Sequence, residues 1–320
     1  MTWRLRTLAT LIFLLAISTL CLAAEKIPVI LDTDIGDDID DTWALSLLLK
    51  SPEVDLKLVV GDNLKAPYRA KLLAKFLERA GRTDIPVGLG LGSDDKNGGA
   101  QSKWVADYDL KSYPGKVHQD GVQAMIDLIM TSPKPVTLLA IGPVQNIAEA
   151  LRRQPEIAKK ARFVGMHGSI RLGYDANPKP APEYNVKLAP KACQAAFTAS
   201  WDMTITPLDT CGLIRLTGDK YRKVHDSKDP IVLALMENYR IWCGNNPQNA
   251  DSASSILFDT VAAYMVLSTD LLNMENLKIR VTDDGMTVID PQGKSVNAAT
   301  SWKDLSAYED FLVNRLTSGK

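Results

Sequence analysis

The sequence predicts an open α/β fold: a mostly parallel central sheet flanked by helices, with a hairpin near the C-terminus. Three observations carry that expectation. Short runs rich in Val, Ile and Leu alternate with helical stretches over the first two-thirds of the chain, as strands buried on both faces and joined by helical crossovers do. Each of those runs ends in Gly or polar residues, the composition of strand ends that face a ligand crevice. Asp284-Gly285 separates two apolar runs, 277–281 and 286–289, which is a hairpin signal. Apolar content of 46% and charged content of 23% are ordinary for a globular chain of 320 residues. No repeat or low-complexity linker divides it, so residues 25–320 read as one domain.

The first 24 residues stand apart. Arg4 and Arg6 precede an apolar run over 8–17, and Ala23-Ala24 follow. That is the order of a secretory signal peptide, with a core too short for a transmembrane span. The mature protein is expected to be exported, periplasmic or extracellular, without stable membrane insertion. Losing two arginines and no acids takes the formal net charge from −1 to −3. With no basic surplus to neutralise phosphates, nucleic acid is excluded as a ligand. Cys193, Cys211 and Cys243 remain; their spacing fits no zinc pattern, and they read as buried thiols rather than a disulfide framework.

In order, an apolar run from 27 leads into an acidic loop, and a helix over 41–50 stops at Ser51-Pro52. A strand over 55–60 ends in Gly61-Asp62-Asn63, and a helix over 68–80 is closed by Gly81. A short strand at 85–87 precedes a long Gly-rich loop, about 90 to 118, that carries Trp104, Tyr108 and Tyr113. A loop of that length in a compact domain is usually functional. Asp120 caps a helix to about 130. Strand 135–140, helix 144–153, strand 161–166 and a second long loop, 167–182, follow. Helix 190–199, strand 203–208, helices 229–242 and 254–267, the hairpin and a last helix over 304–317 complete the chain.

Chemistry concentrates in Asp32-Thr33-Asp34-Ile35-Gly36-Asp37-Asp38-Ile39-Asp40-Asp41, where six of ten residues are aspartate. The stretch lies after a strand and opens a helix, whose dipole favours acids in its first turn. Carboxylates this dense repel one another unless a cation neutralises them or some stay protonated. Hard oxygen ligands suit Ca²⁺ or Mg²⁺ better than zinc. The plain alternative is a solvated acidic turn. The same rim should collect Asp62 and Asn63, the Ile141 carbonyl, the loop beyond Met166 with Asn177, Glu183 and Asn185, and Asp259 from a late helix. Acids and amides without a Ser–His pair or a phosphate-cradling loop suit a neutral polyhydroxylated ligand, such as a sugar ring, on a hard cation.

A strand ending in Asp-x-Asp, then Gly, then a doubled Asp opening a helix resembles the nucleoside hydrolases of the inosine–uridine-preferring type. The resemblance runs from about Ile27 to Leu316. It implies a calcium ion held by Asp34, Asp41, Asp259 and the Ile141 carbonyl. It also implies ribose hydroxyls gripped by Asp40, Asp62 or Asn63, Glu183 and Asn185, with Met166 and Asn177 at neighbouring contacts. Asp34 would be general base to a calcium-oriented water, and carboxylates such as Glu183 would support an oxocarbenium-like state. The loop is two residues longer than the family's shortest form, which leaves Asp38 and Asp40 both open for the ribose. Asp40 is preferred because its doublet leads into the helix.

Phe258 stands where the pyrimidine-accepting branch has a His. Either His167 substitutes as the acid, or a purine leaves while stacked on Trp104, Tyr174 or Trp242. The loop bearing Trp104 is expected to close over the site, and purine nucleosides to be preferred over uridine. The expected partner is a small-molecule nucleoside, with homo-oligomerisation open. An exported nucleoside- or ribose-binding protein with weak or lost catalysis is the competing reading, and the retained Asp34, Asp41 and Asp259 weigh against it. A haloacid-dehalogenase-type phosphatase also begins Asp-x-Asp, but needs a hydroxyl where Gly36 stands.

Overall fold

The computed structural model describes residues 25–92 and 98–319; the signal-peptide expectation for residues 1–24 lies outside them. The strands are β1 (Ile27–Thr33), β2 (Val54–Gly61), β3 (Val87–Gly88), β4 (Val117–His118), β5 (Val136–Ala140), β6 (Ala161–Met166), β7 (Met203–Thr206), β8 (Leu272–Val281), β9 (Thr287–Ile289) and β10 (Lys294–Trp302). They form one sheet in the order β4-β3-β2-β1-β5-β6-β7-β10-β8-β9. All pairings from β4 across to β10 are parallel, and β10–β8 and β8–β9 are antiparallel. The expected parallel sheet and C-terminal hairpin are both present.

Strand order reverses at β1, which has β2 on one side and β5 on the other. The crevice beyond the carboxyl ends of strands at such a switch point is where open α/β sheets bind ligands. Side chains of β1 alternate between two core layers, Val29 and Leu31 in one and Ile30 in the other, as the two-residue period of a strand requires. The helix Asp40–Leu49 is buried on nearly every side. It lies under the helices Phe258–Leu267, Pro230–Trp242 and Leu305–Thr317, so its sequence is apolar all round instead of striped.

β10 was not expected. Lys294-Ser-Val-Asn-Ala-Ala-Thr-Ser-Trp302 has few large apolar residues, and only part of it is buried. Its pairing comes from tertiary context: Asn297 and Ala298 lie opposite Thr204 and Ile205 of β7, and the rest pairs with β8. The short helices Tyr184–Leu188, Leu208–Cys211 and Gly218–His225 also fall where loop was expected. The three cysteines among the described residues are free, with Cys193 and Cys211 buried.

Two residues expected at the site belong to the packing instead. Trp104 is 2% exposed, with its indole 6.1 Å from the Phe76 ring and the Lys75 ammonium 5.0 Å above it. It anchors the long loop to the helix Ala66–Arg79, because a large indole gains more from burial than from a solvated loop tip. His167 is fully buried between Phe163 and Phe197, at ring separations of 5.7 and 6.3 Å. Its Nε2 donates to the Gly142 carbonyl at 3.0 Å, and Nδ1 has no partner among the described residues. Burial pushes its pKa down to about 4. A neutral imidazole facing the core cannot protonate a leaving group in the crevice, so the expectation of His167 as substitute acid does not hold.

Two outcomes follow from this packing. Trp104→Ala should cost about 3–5 kcal/mol in urea unfolding. A selective loss of turnover without destabilisation would contradict its place in the core. Because the His167 pKa is depressed from 6.5 to about 4, its contribution to stability is whole above 6.5 and is lost as pH falls towards 4. Between pH 7 and pH 5, wild type should lose roughly 2 kcal/mol more than His167→Gln. Equal losses would show that the imidazole is not held neutral.

Candidate active site at the carboxyl end of the sheet

Beyond β1 the chain turns through residues 34–39 into the helix Asp40–Leu49. Five consecutive carbonyls of this turn are held by side chains from elsewhere. Arg69, fully buried, donates from Nη1 to the carbonyls of Asp34 and of Ile35, the latter at 2.8 Å. Tyr68 Oη donates to Gly36 at 3.0 Å, Trp242 Nε1 to Asp37 at 3.1 Å, and Gln101 Nε2 to Asp38 at 2.7 Å. Arg69 Nη2 also pairs with the Asp37 carboxylate at 2.9 Å, as does Lys65 at 2.9 Å. Gly36 has φ +112°, and a Cβ there would meet Leu72 and Tyr68 at 2.6 Å, so only glycine fits. Arg69 was not singled out from sequence. The available signal was its position: it shares the buried stripe of Leu72, Leu73 and Phe76, where an arginine needs a partner.

Asp40, Asp41 and Asp259 come together where the helix Asp40–Leu49 meets the helix Phe258–Leu267. Their carboxylate oxygens lie within 4.8 Å of one another. The Asp259 amide donates to Asp40 Oδ2 at 3.1 Å, and Thr33 Oγ1 donates to the Asp41 carboxylate. Burial, then the charges of the neighbouring aspartates, raises all three pKa values well above the ordinary range. Oxygens bound to one calcium at about 2.3–2.6 Å lie no more than about 5 Å apart. The donor set therefore fits a hard divalent cation, whose charge would relieve the repulsion.

Asp34 lines the same cavity. Burial raises its pKa to about 7 against the opposing charge of Arg69. The end of β5 passes close by: a Cβ on Gly142 would sit 3.0 Å from the Asp34 amide nitrogen. The resemblance put Asp34 among the cation ligands and Asp40 on the ribose. In the structure Asp40 belongs to the tight cluster and Asp34 stands beside it. Asp38 also lines the cavity, with its Oδ1 accepting from the Ile39 amide at 2.7 Å.

The cavity has a volume of about 480 Å³ and is also lined by Ile141, Met166, Tyr174, Glu183, Tyr184, Asn185, Trp242 and Phe258. Glu183 caps the helix Tyr184–Leu188, accepting from the amides of Asn185 at 2.7 Å and Val186 at 3.3 Å, and from Gly168 at 3.0 Å. Burial lifts its pKa to about 7. Asn185 Nδ2 donates to the carbonyls of Ile141 at 3.2 Å and Met166 at 3.1 Å. Tyr174 meets Phe258 edge to face at 6.3 Å.

Other expected contacts do not line this cavity. Asp62 is buried, accepting from the amides of Gln145 at 3.1 Å and Asn146 at 3.3 Å at the start of the helix Gln145–Arg153. That helix end satisfies its charge. Asn63 turns its amide towards Asp37 at 3.4 Å. Asn177 is exposed and caps the Lys179 amide at 3.0 Å. Trp104 lies in the core, as described above. The aromatic wall that does face the cavity is Tyr174, Tyr184, Trp242 and Phe258.

Removing the buried guanidinium leaves the turn's carbonyls and Asp37 uncompensated. Arg69→Met should cost about 3–5 kcal/mol in urea unfolding, with Arg69→Lys recovering only part of it. Stability equal to wild type in both variants would remove Arg69 from the role described.

Comparison with known proteins agrees with this geometry. Residues 29–309 match the family model described as inosine-uridine preferring nucleoside hydrolase. The chain is 30% identical to the pyrimidine-specific ribonucleoside hydrolase RihA of Enterobacter sp. (strain 638), over 91% of this chain and 97% of that protein. It is 26% identical to probable uridine nucleosidase 2 of Arabidopsis thaliana, over 88% and 91%. Among solved structures, the plant nucleoside hydrolase PpNRh1 superposes with a TM-score of 0.77 at 24% identity, covering 92% of this chain and 99% of that one. A purine-preferring ribonucleoside hydrolase from Gardnerella vaginalis shares the fold with a TM-score of 0.73 at 22% identity, covering 91% and 98%. A match over most of the chain, on a fold whose switch point carries a buried acidic triad, makes this protein a member of the inosine–uridine-preferring nucleoside hydrolase family.

Proposed function

We propose that this protein hydrolyses the N-glycosidic bond of ribonucleosides in a calcium-dependent reaction, releasing free base and ribose, and that it acts outside the cytoplasm after export. The observation that carries the reading is the Asp40, Asp41 and Asp259 cluster, which faces Asp34, Glu183 and an aromatic wall across one cavity. Export rests on the order of charged, apolar and small residues in 1–24. Among the described residues, no helix is long and apolar enough to cross a membrane.

Asp40, Asp41 and Asp259, with the Ile141 carbonyl nearby, would hold the cation. When bound, a hard divalent cation makes water more acidic and orients hydroxyl groups. Asp34 accepts the proton of the attacking water at its carboxylate. Arg69 fixes the turn on which Asp34 sits. Glu183, held by three amides, supports the positive charge that develops on the sugar ring. Tyr174, Trp242 and Phe258 enclose the leaving base and keep water from it. Phe258 can donate no proton. The preference for purines over uridine has lost the support of Trp104, and Trp242 and Tyr174 are the faces that remain to stack on a base. The relatives named above include both a pyrimidine-specific and a purine-preferring enzyme.

Asp34→Asn should lower turnover by roughly 10²–10⁴-fold while leaving the fold intact. Asp41→Asn should lose calcium affinity by titration calorimetry as well as activity, and a chelator should abolish sugar release. Full turnover in chelator-treated protein or in Asp34→Asn would overturn the assignment. Calcium and nucleoside binding without sugar release from any nucleoside would favour the binding-protein reading.

A further inference from the structure

A second cavity, of about 690 Å³, adjoins the first and shares Asp38, Trp242 and Phe258 with it. Glu183 and Asn185, which line the first cavity, do not line it. Beside Tyr239, Cys243 and Ile256, its lining includes the polar residues Arg215, Asn249, Ser252 and Ser255. Arg215 is the one cation among the described residues lining either cavity.

Arg215 is held firmly at its base and left open at its tip. Its neighbours are tied to the segment before Phe258: Leu216 N donates to Ser254 Oγ at 2.9 Å, Ser254 N to the Leu216 carbonyl at 3.0 Å, and Leu257 N to the Ile214 carbonyl at 2.9 Å. Its Nε donates to the Ser254 carbonyl at 3.1 Å. Among the described residues nothing accepts from its two terminal nitrogens. The Ser252 and Ser255 hydroxyls donate to the carbonyls of Asn249 and Ile256, at 3.0 and 3.2 Å, and so offer no proton to a ligand.

Building on the hydrolase reading, we propose that the second cavity receives the far edge of the nucleobase, and that Arg215 donates to a ring oxo group there. A sugar held at the acidic cluster directs its base towards Phe258 and Trp242, the residues that lead into this space. As the bond from the anomeric carbon to the base nitrogen breaks, its electron pair moves onto the base and spreads to the oxo oxygen. The water oxygen joins the anomeric carbon, Asp34 takes the water proton, and the departing base takes a proton from solvent. Arg215 gives up no proton. Its fixed charge stabilises the anion while it forms, the task for which Phe258 has no group. Bases with an oxo group at this edge are favoured over bases with an amino group there: inosine over adenosine, and uridine over cytidine.

Charge develops only as the bond breaks, so the contribution of Arg215 falls on kcat more than on KM. Wild type should turn over inosine at least about tenfold faster than adenosine, in line with a hydrogen bond to a charged group. Arg215→Gln should lower kcat for inosine by roughly 10–100-fold and collapse the inosine-to-adenosine ratio, with Arg215→Lys keeping part of it. Thermal melting and calcium affinity report whether the variants are folded. A second measurement needs no variant: hypoxanthine should inhibit wild type at lower concentration than adenine. An active wild type whose ratio does not move in a folded Arg215→Gln, or whose inhibition by the two bases is equal, overturns the role of Arg215 and leaves the hydrolase reading standing. Release of ribose from no nucleoside overturns both.

Discussion

The site depends on a single buried arginine. Six aspartates within ten residues repel one another and would not by themselves hold a tight turn. Arg69 supplies a positive charge inside the protein, a planar fork that meets two successive carbonyls, and a partner for Asp37. Tyr68, Gln101 and Trp242 complete the set, so that no carbonyl from Asp34 to Asp38 is left without a donor. A loop fixed by its backbone in this way can turn its remaining carboxylates to one side.

That arrangement divides the acids by task. Asp32 is bound by Asn146 Nδ2 at 2.8 Å at the end of β1, Asp62 caps the helix Gln145–Arg153, and Asp37 pairs with Arg69 and Lys65. Asp37 and Asp62 have partners on both carboxylate oxygens, whereas Asp32 has one for Oδ1 and, among the described residues, none for the buried Oδ2. Asp40, Asp41 and Asp259 have too few, and burial together drives their pKa values up. This frustration is the physical argument for a cation. Asp34 stands between the groups, close enough to Arg69 to be held and close enough to the cavity to act.

The opposite side of the site follows another principle. Glu183 and Asn185 are positioned by amides and carbonyls of loops at the ends of β5 and β6, so this part of the cavity is held firmly and is polar. The aromatic part of the lining continues into a space where, among the described residues, Arg215 is the one cation. Under the proposed function, sugar and base would be recognised by different elements, so that the second could vary without disturbing the first.

Much of this was legible in the chain. The strands β1, β2, β5 and β6 are apolar runs bounded by Gly, Pro or polar residues, and burial on both faces writes exactly that local pattern. Asp120 before its helix and Asp284-Gly285 in the hairpin are likewise local signals with local causes. The acidic stretch announced both the crevice and a hard cation, because charge density is visible without coordinates. The particular role of each residue was not visible. Arg69 meets Asp34 across 35 positions, and Asp62 meets Gln145 across 83. Trp104 and His167 were expected at the site because nothing in their neighbourhoods says which way they point; packing turned both into the core. β10 carries a weak strand pattern and becomes a strand through β7 and β8. Local chemistry writes periodicity and charge into the sequence, whereas the choice of which acid binds, which caps and which catalyses depends on partners that only folding brings within hydrogen-bonding distance.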